Sequence, residues 1–420
     1  MYFLYCSSIF IYYALIRISA LFNQKARKWL RGRKGILDRL EKLNLSSDKI
    51  IWFHCASLGE FEQGRPVIEA IKKATPDYKI LLTFFSPSGY EVRKNWPFAD
   101  HVFYLPLDTK WNAKKFISFC NPQLVVFVKY EFWYHYINEL NERKIPLFII
   151  SAIFRENQHF FTSHGNWWRN LLKKISHIYV QDQKSLQLLD TIDVKNASVA
   201  GDTRFDRVYQ SALNPDPVVE IENFCSKTSV LIAGSTWAED EKLIIKFIRN
   251  YPGEMKFIIA PHEIHKKRID QLESLLKGVK TVKFSCIKSS KTESAKVLII
   301  DNIGYLSKLY AYGKVAYIGG GFGKGIHNIL EAAAFGLPVV FGPNYNKFKE
   351  ARELIEEGGA FSVKNEDEFN KAMMRVLSVY TSEICANYVN KNKGATDIIT
   401  EALLKHIEGI GLIESNREEN

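Results

Sequence analysis

A chain of 420 residues is long for one domain and sufficient for two α/β domains that each bury a core. Apolar residues at 46% and charged residues at 25% exclude a disordered or fibrous polypeptide. Lys and Arg exceed Asp and Glu by 57 to 46, which calls for an anionic partner, and the six cysteines lack the spacing of a zinc site or a disulfide framework.

The chain opens on an apolar stretch, Tyr2 to Phe22, interrupted by Arg17 and close to the length that spans a bilayer. Lys25, Arg27, Lys28, Arg31, Arg33 and Lys34 crowd in just behind it, the reverse of the charge order in a secretory signal. Residues 1–22 are therefore expected to form a membrane-anchor helix, with the rest of the chain on the cytoplasmic side and an anionic membrane surface, rather than nucleic acid, facing the basic cluster. The competing reading is a buried helix of the first domain, which Arg17 favours.

From Ile50 short apolar runs alternate with amphipathic stretches, the pattern of a doubly wound parallel sheet. The expected strands are Ile50–His54, Lys79–Phe84, His101–Leu105, Leu124–Val128, Leu147–Ser151, His177–Val180 and Ser198–Gly201. Two prolines in Asn214-Pro215-Asp216-Pro217 suit a linker, which puts one Rossmann-like domain at 23–213 and another at 218–420. Ser229–Gly234, Met255–Ala260, Thr281–Phe284, Val297–Asp301, Val315–Ile318, Pro338–Phe341 and Ala360–Val363 should build the second sheet. Ligands of such sheets bind beyond the carboxyl ends of the strands, and two facing lobes would share a cleft.

Two carboxylates lie where ligand loops belong. Glu60, in Ser57-Leu58-Gly59-Glu60, follows the first strand and opens a helix; it can act as a general base or merely as a first-turn residue facing the helix N-terminus. Glu131, in Lys129-Tyr130-Glu131-Phe132-Trp133, ends the fourth strand; it can share a site with Glu60, or pair with Lys129 at the surface. Arg204, in Gly201-Asp202-Thr203-Arg204-Phe205-Asp206, could neutralise a departing phosphate or form an ion pair with Asp202 or Asp206.

In the second half, Gly319-Gly320-Gly321-Phe322-Gly323-Lys324-Gly325 follows a strand, and its backbone N–H groups and Lys324 could meet a phosphate, with Gly321 among the residues in contact. It is neither a Walker A loop nor a dinucleotide fingerprint. Glu331, expected one helical turn beyond His327, could face a ribose. Ser235-Thr236 and Pro261-His262 follow other strands, and can line the same cleft or simply cap helices.

Jointly and in this order, Gly32-Arg33-Lys34-Gly35, Ser57-Leu58-Gly59-Glu60, Glu131-Phe132-Trp133, Gly201-Asp202-Thr203-Arg204-Phe205-Asp206, Gly234-Ser235-Thr236, His327-Asn328-Ile329-Leu330-Glu331 and Phe341-Gly342-Pro343 resemble the Kdo (3-deoxy-D-manno-oct-2-ulosonic acid) transferase family of lipopolysaccharide synthesis. The resemblance implies a GT-B fold and an inverting, metal-independent transfer of Kdo from CMP-Kdo to a lipid A precursor at the inner membrane, with no cofactor besides the CMP-sugar donor. It assigns Glu60 as base, Glu131 as second carboxylate and Arg204 to the position of a lysine that assists the leaving phosphate. CMP contacts map to Pro261, His262, Gly304, Tyr305, Leu306, Asn328, Ile329, Leu330 and Glu331. The chain departs from the family pattern at His262, usually Arg, and at Ile329 and Tyr134, usually Pro. Rival readings are another GT-B nucleotide-sugar transferase or epimerase, and a non-catalytic membrane-bound binder of nucleotide or lipid.

Overall fold

The computed structural model describes residues 1–226, 228–289, 294–378 and 382–418. They divide into two units, Met1–Asp206 with Lys393–Asn420, and Arg207–Asn392. The first is built on β1 (Ile50–Cys55), β2 (Lys79–Phe84), β3 (His101–Tyr104), β4 (Leu124–Val128), β5 (Leu147–Ala152), β6 (His177–Val180) and β7 (Ala197–Val199). These strands run parallel in the order β3-β2-β1-β4-β5-β6-β7. All of β1 and β4 is buried, because helices cover both faces and a continuous apolar run satisfies both sides.

The second unit repeats the plan with β8 (Val230–Thr236), β9 (Lys256–Pro261), β10 (Thr281–Lys283), β11 (Val297–Ile299), β12 (Val315–Ile318), β13 (Val339–Phe341) and β14 (Ala360–Ser362). Its order, β10-β11-β9-β8-β12-β13-β14, is again all parallel. The fold is thus the expected α/β pair of Rossmann-like units of a GT-B chain.

The division of the chain differs from the expected one. The Asn214–Pro217 stretch lies inside the second unit's range, where Asp216 pairs with Lys308 at 2.6 Å, and the C-terminal residues leave that unit altogether. The carboxylate of Asp206 accepts the N–H groups of Gly394 and Thr396, at 2.6 and 3.1 Å, turning the chain into the helix Ala395–Glu418. That helix packs on the helix Leu58–Ala74 and buries Ile399, Leu403 and Ile407 in the first unit's core beside Val67, Ile68 and Ile71. At about 1.5–3 kcal/mol for each buried side chain, this packing outweighs what a proline-containing linker can impose on where a domain ends.

The N-terminal helix, Tyr2–Ser19, has no buried residue, which rules out the core-helix reading, and by length and composition it could cross a membrane. One side touches the first unit: the Tyr5 hydroxyl donates to Asp108, and Tyr12 packs against Phe85 and Trp29 at ring-centroid distances of 5.9 and 6.0 Å. Phe3, Phe10, Ile11, Leu15 and Ile18 remain exposed.

Candidate active site

In the first sheet the strand order reverses between β1 and β4, so the loops leaving these two neighbours diverge and open a crevice at their carboxyl ends. Glu60 follows β1 and Glu131 follows β4. Ser57 caps the helix Leu58–Ala74 by accepting the N–H of Gly59 at 3.2 Å, and its hydroxyl donates to Glu60, which fixes the half-buried carboxylate in the first helical turn. The Cys55 thiol at the end of β1 is pushed well up, first by burial and then by the charges of Glu60, Glu131 and Glu62, so three carboxylates converge on this strand end.

Glu131 does not pair with Lys129. It is 8% exposed, and its Oε2 accepts Trp133 Nε1 at 2.6 Å and lies 3.3 Å from His54 Nε2. His54, fully buried on β1, reaches the Thr83 hydroxyl at 2.9 Å through Nδ1, and that hydroxyl also accepts Trp52 Nε1 at 2.8 Å. Lys129 turns the other way. Its φ of +76° is left-handed and costly without glycine, while its N–H still donates to Ile150 O at 2.9 Å. Burial pulls its ammonium down, Glu60 opposes this, and Arg204, Asp202 and Arg155 act on it from the segments that follow β7 and β5. Lys129 therefore belongs with Glu60 in one charged cluster.

Arg204 forms the ion pair that was its structural alternative. Asp202 Oδ2 receives Arg204 Nε at 2.9 Å and Nη2 at 2.7 Å, while Oδ1 takes the Arg204 N–H at 3.0 Å. Asp206 is occupied by the C-terminal segment instead.

The second sheet reverses between β8 and β12. Ser235 and Thr236 end β8, Ser235 in a left-handed conformation at φ +53°, and the glycine-rich loop leaves β12. Two of its glycines are required by close packing: a Cβ on Gly319 would stand 2.2 Å from Ser235 O, and one on Gly321 would stand 2.6 Å from Gly342 Cα. Buried Asp240 locks the loop to the β8 end by accepting the N–H groups of Gly320 and Trp237, at 2.9 and 2.8 Å, and the Tyr317 hydroxyl at 2.7 Å. Burial pushes its carboxyl up, partly offset by these donors.

Around this loop, His262 lies between Trp237 and His327 in a ring stack with centroid distances of 4.7 and 4.4 Å. Trp237 Nε1 donates to His327 Nε2 at 3.2 Å, and the His262 N–H is held by Thr236 O at 3.0 Å. Pro261 is buried at the end of β9, and Lys324 is exposed on the loop. Gly304, at φ +95°, turns the chain toward Tyr305 and Leu306, and Leu306 packs where a Cβ on Gly234 would fall 2.9 Å from it. His327 is not on a helix: its N–H is tied back to Gly319 O at 3.1 Å, and the helix begins only at Leu330, capped by Asn328 Oδ1 at 3.1 Å. Asn328 also donates to Glu331 at 3.2 Å, whereas Ile329 and Leu330 are fully buried and could meet a ligand only through backbone.

Residues 29–207 match the family model described as 3-deoxy-D-manno-octulosonic-acid transferase (kdotransferase). Over this stretch the chain is similar to the Kdo transferase family. Its relatives extend the likeness over most of its length: it is 29% identical to the 3-deoxy-D-manno-octulosonic acid transferase of Aquifex aeolicus over 78% of this chain and 86% of that one. With the transferase of the same name from Haemophilus influenzae it shares 28% identity over 85% and 87% of the two chains. The UDP-GlcNAc 2-epimerase of Neisseria meningitidis superposes with a TM-score of 0.59 at 17% identity, over 85% of this chain and all of that one, a likeness of fold alone. The matched domain holds Glu60, Glu131, His54 and Arg204. Sequence reasoning passed over His54 and Thr83; the signal was a histidine inside an apolar strand, in register with a threonine on the next strand.

Proposed function

We propose that the chain is an inverting glycosyltransferase that moves Kdo from CMP-Kdo to a lipid A precursor in lipopolysaccharide synthesis. The observation that carries this reading is the placement of Glu60 and Glu131 after the two strands that flank the first switch point, inside the domain that matches the Kdo transferase model. Glu60 accepts the proton of the acceptor hydroxyl as its oxygen attacks the anomeric carbon opposite the departing CMP, so a single base accounts for inversion. Glu131 orients the acceptor. Arg204, Lys324 and backbone N–H groups of the glycine-rich loop take up the charge that develops on the CMP phosphate, which removes the need for a metal.

The second switch point supplies the nucleotide site: Ser235, Thr236, Pro261, His262, the Gly304–Leu306 turn, Gly321 and the Asn328–Glu331 segment surround one strand edge. The exposed apolar helix Tyr2–Ser19, followed by the basic cluster from Lys25 to Lys34, supports attachment to the anionic cytoplasmic face of the inner membrane. Incubating the full chain with CMP-Kdo and a lipid A precursor in excess chelator should yield the Kdo adduct by mass spectrometry. The reading fails if no adduct forms, and metal independence fails if magnesium is needed to restore it. Titration with CMP, UMP and UDP separates it from an epimerase or a UDP-sugar transferase, since CMP should bind tightest.

A further inference from the structure

The hydrogen bonds behind Glu131 meet at Trp133 Nε1, which lies 2.6 Å from Glu131 Oε2 and 3.2 Å from His54 Nε2, so the tautomer of His54 decides how they run. Trp52 Nε1 can only donate, so the Thr83 oxygen accepts from it at 2.8 Å, leaving the hydroxyl proton for a further partner. His54 Nδ1 lies 2.9 Å from that oxygen, and Phe53 O is the more distant alternative at 3.4 Å. If the hydroxyl donates to Nδ1, the ring carries its proton on Nε2, aimed at Glu131 Oε2. In the opposite tautomer the Nε2 lone pair could accept only Trp133 Nε1, at 3.2 Å, in competition with the 2.6 Å bond from that N–H to Glu131, and it would still face a carboxylate oxygen 3.3 Å away in a place His54 cannot leave because it is fully buried. Trp133 Nε1, at 2.6 Å, adds a second N–H to the same oxygen. Glu131 is thereby held from behind by two donors, one of which depends on a threonine on the neighbouring strand.

We infer that His54 is a positioning residue for the transfer reaction: Thr83 fixes its Nε2–H tautomer, and that N–H sets the orientation of the Glu131 carboxylate. The inference rests on the role proposed above for Glu131. A misplaced tautomer behind an otherwise intact carboxylate impairs catalysis without emptying the site, the logic by which the aspartate of a Ser-His-Asp triad acts through its histidine.

The decisive variant is Thr83→Val, which keeps the shape and removes the hydroxyl, with Thr83→Ser as the conservative control. Thr83→Val should lower kcat about tenfold to a hundredfold with little change in KM for either substrate, and Thr83→Ser should restore kcat to within about twofold of wild type. Because Thr83→Val strips Trp52 of its acceptor and could unfold the strand, His54→Gln and His54→Leu form a second pair. Glutamine places an amide N–H near the Nε2 position and should retain several-fold more kcat than leucine. Ring nitrogen NMR on histidine-labelled full-length protein, with His54 assigned by its disappearance in His54→Gln, reads the tautomer without any substrate. It should report the Nε2–H form in wild type and Thr83→Ser, and gain of the Nδ1–H form in Thr83→Val. An Nδ1–H ring in the wild type overturns the inference, as does an equal loss of kcat in Thr83→Val and Thr83→Ser or in the two His54 variants. A wild-type protein with the Nε2–H ring but no Kdo transfer would instead refute the functional reading and leave the hydrogen-bond assignment standing.

Discussion

The two switch points share one sheet topology and are furnished with different materials. The first is lined by side chains that accept or carry protons, Glu60 and Glu131, with the second of these backed by a hydrogen-bonded chain reaching Trp52 in the sheet interior. The second is lined by glycine backbone, stacked rings and short polar groups, and its buried carboxylates are spent on structure, Asp240 holding the loop and Glu241 accepting the Thr236 hydroxyl. A buried polar network fixes the direction of a reacting group, whereas exposed backbone N–H groups offer a cradle for an anion. Under the proposed function this difference is a division of labour, chemistry in one unit and nucleotide affinity in the other.

The sharpest break in that comparison would come from Glu60→Gln. Loss of a general base should cut kcat about a hundredfold to ten-thousandfold while CMP affinity, measured by calorimetry, stays within about twofold. Wild-type turnover in this variant would remove the chemical role of the first switch point. Arg204→Ala comes next: if its guanidinium meets charge on the leaving phosphate, kcat should fall by about a hundredfold, and CMP affinity by much less. A loss confined to affinity would move Arg204 to the nucleotide side of the comparison.

Gly321→Ala tests the second switch point. Its new Cβ, 2.6 Å from Gly342 backbone, should cost about 1–3 kcal/mol in the stability of this unit and weaken CMP binding about tenfold. Unchanged melting and CMP affinity would show that the two loops can separate freely. The smallest effect concerns His327, held below the usual 6.5 first by burial and then by His262. The unfolded chain takes up this proton more readily than the folded one. The neutral ring therefore contributes stability that is present above pH 6.5 and is lost as the pH falls from there through the lower folded value. His327→Gln should flatten the acid limb of the pH–stability curve for the second unit, and an unaltered curve would rule the linkage out.

The strands were legible because parallel sheets bury both faces: β2, β4, β6 and β12 match the expected apolar runs residue for residue, and the others differ only at their ends. Glu60 and Glu131 were legible as carboxylates directly after such runs. What stayed hidden depends on partners distant in sequence. Nothing local marks the pairing of His54 with Glu131, 77 residues apart, or the return of the C-terminal helix to a core begun more than 300 residues earlier. Glu331 was expected one helical turn beyond His327, whereas a backbone bond ties His327 to Gly319 and the helix starts only at Leu330.

The return of Ala395–Glu418 has a consequence for synthesis. The second unit is an insertion within the first, so a ribosome must make residues 207–392 before the segment that covers the helix bearing Glu60 emerges. At roughly five to twenty residues per second that interval lasts about ten to forty seconds, during which the apolar side of Val67, Ile68 and Ile71 lacks its final covering. A nascent chain released early would carry the whole second unit and still lack the layer behind Glu60, so the last helix to be translated completes the half in which the chemistry is proposed to occur.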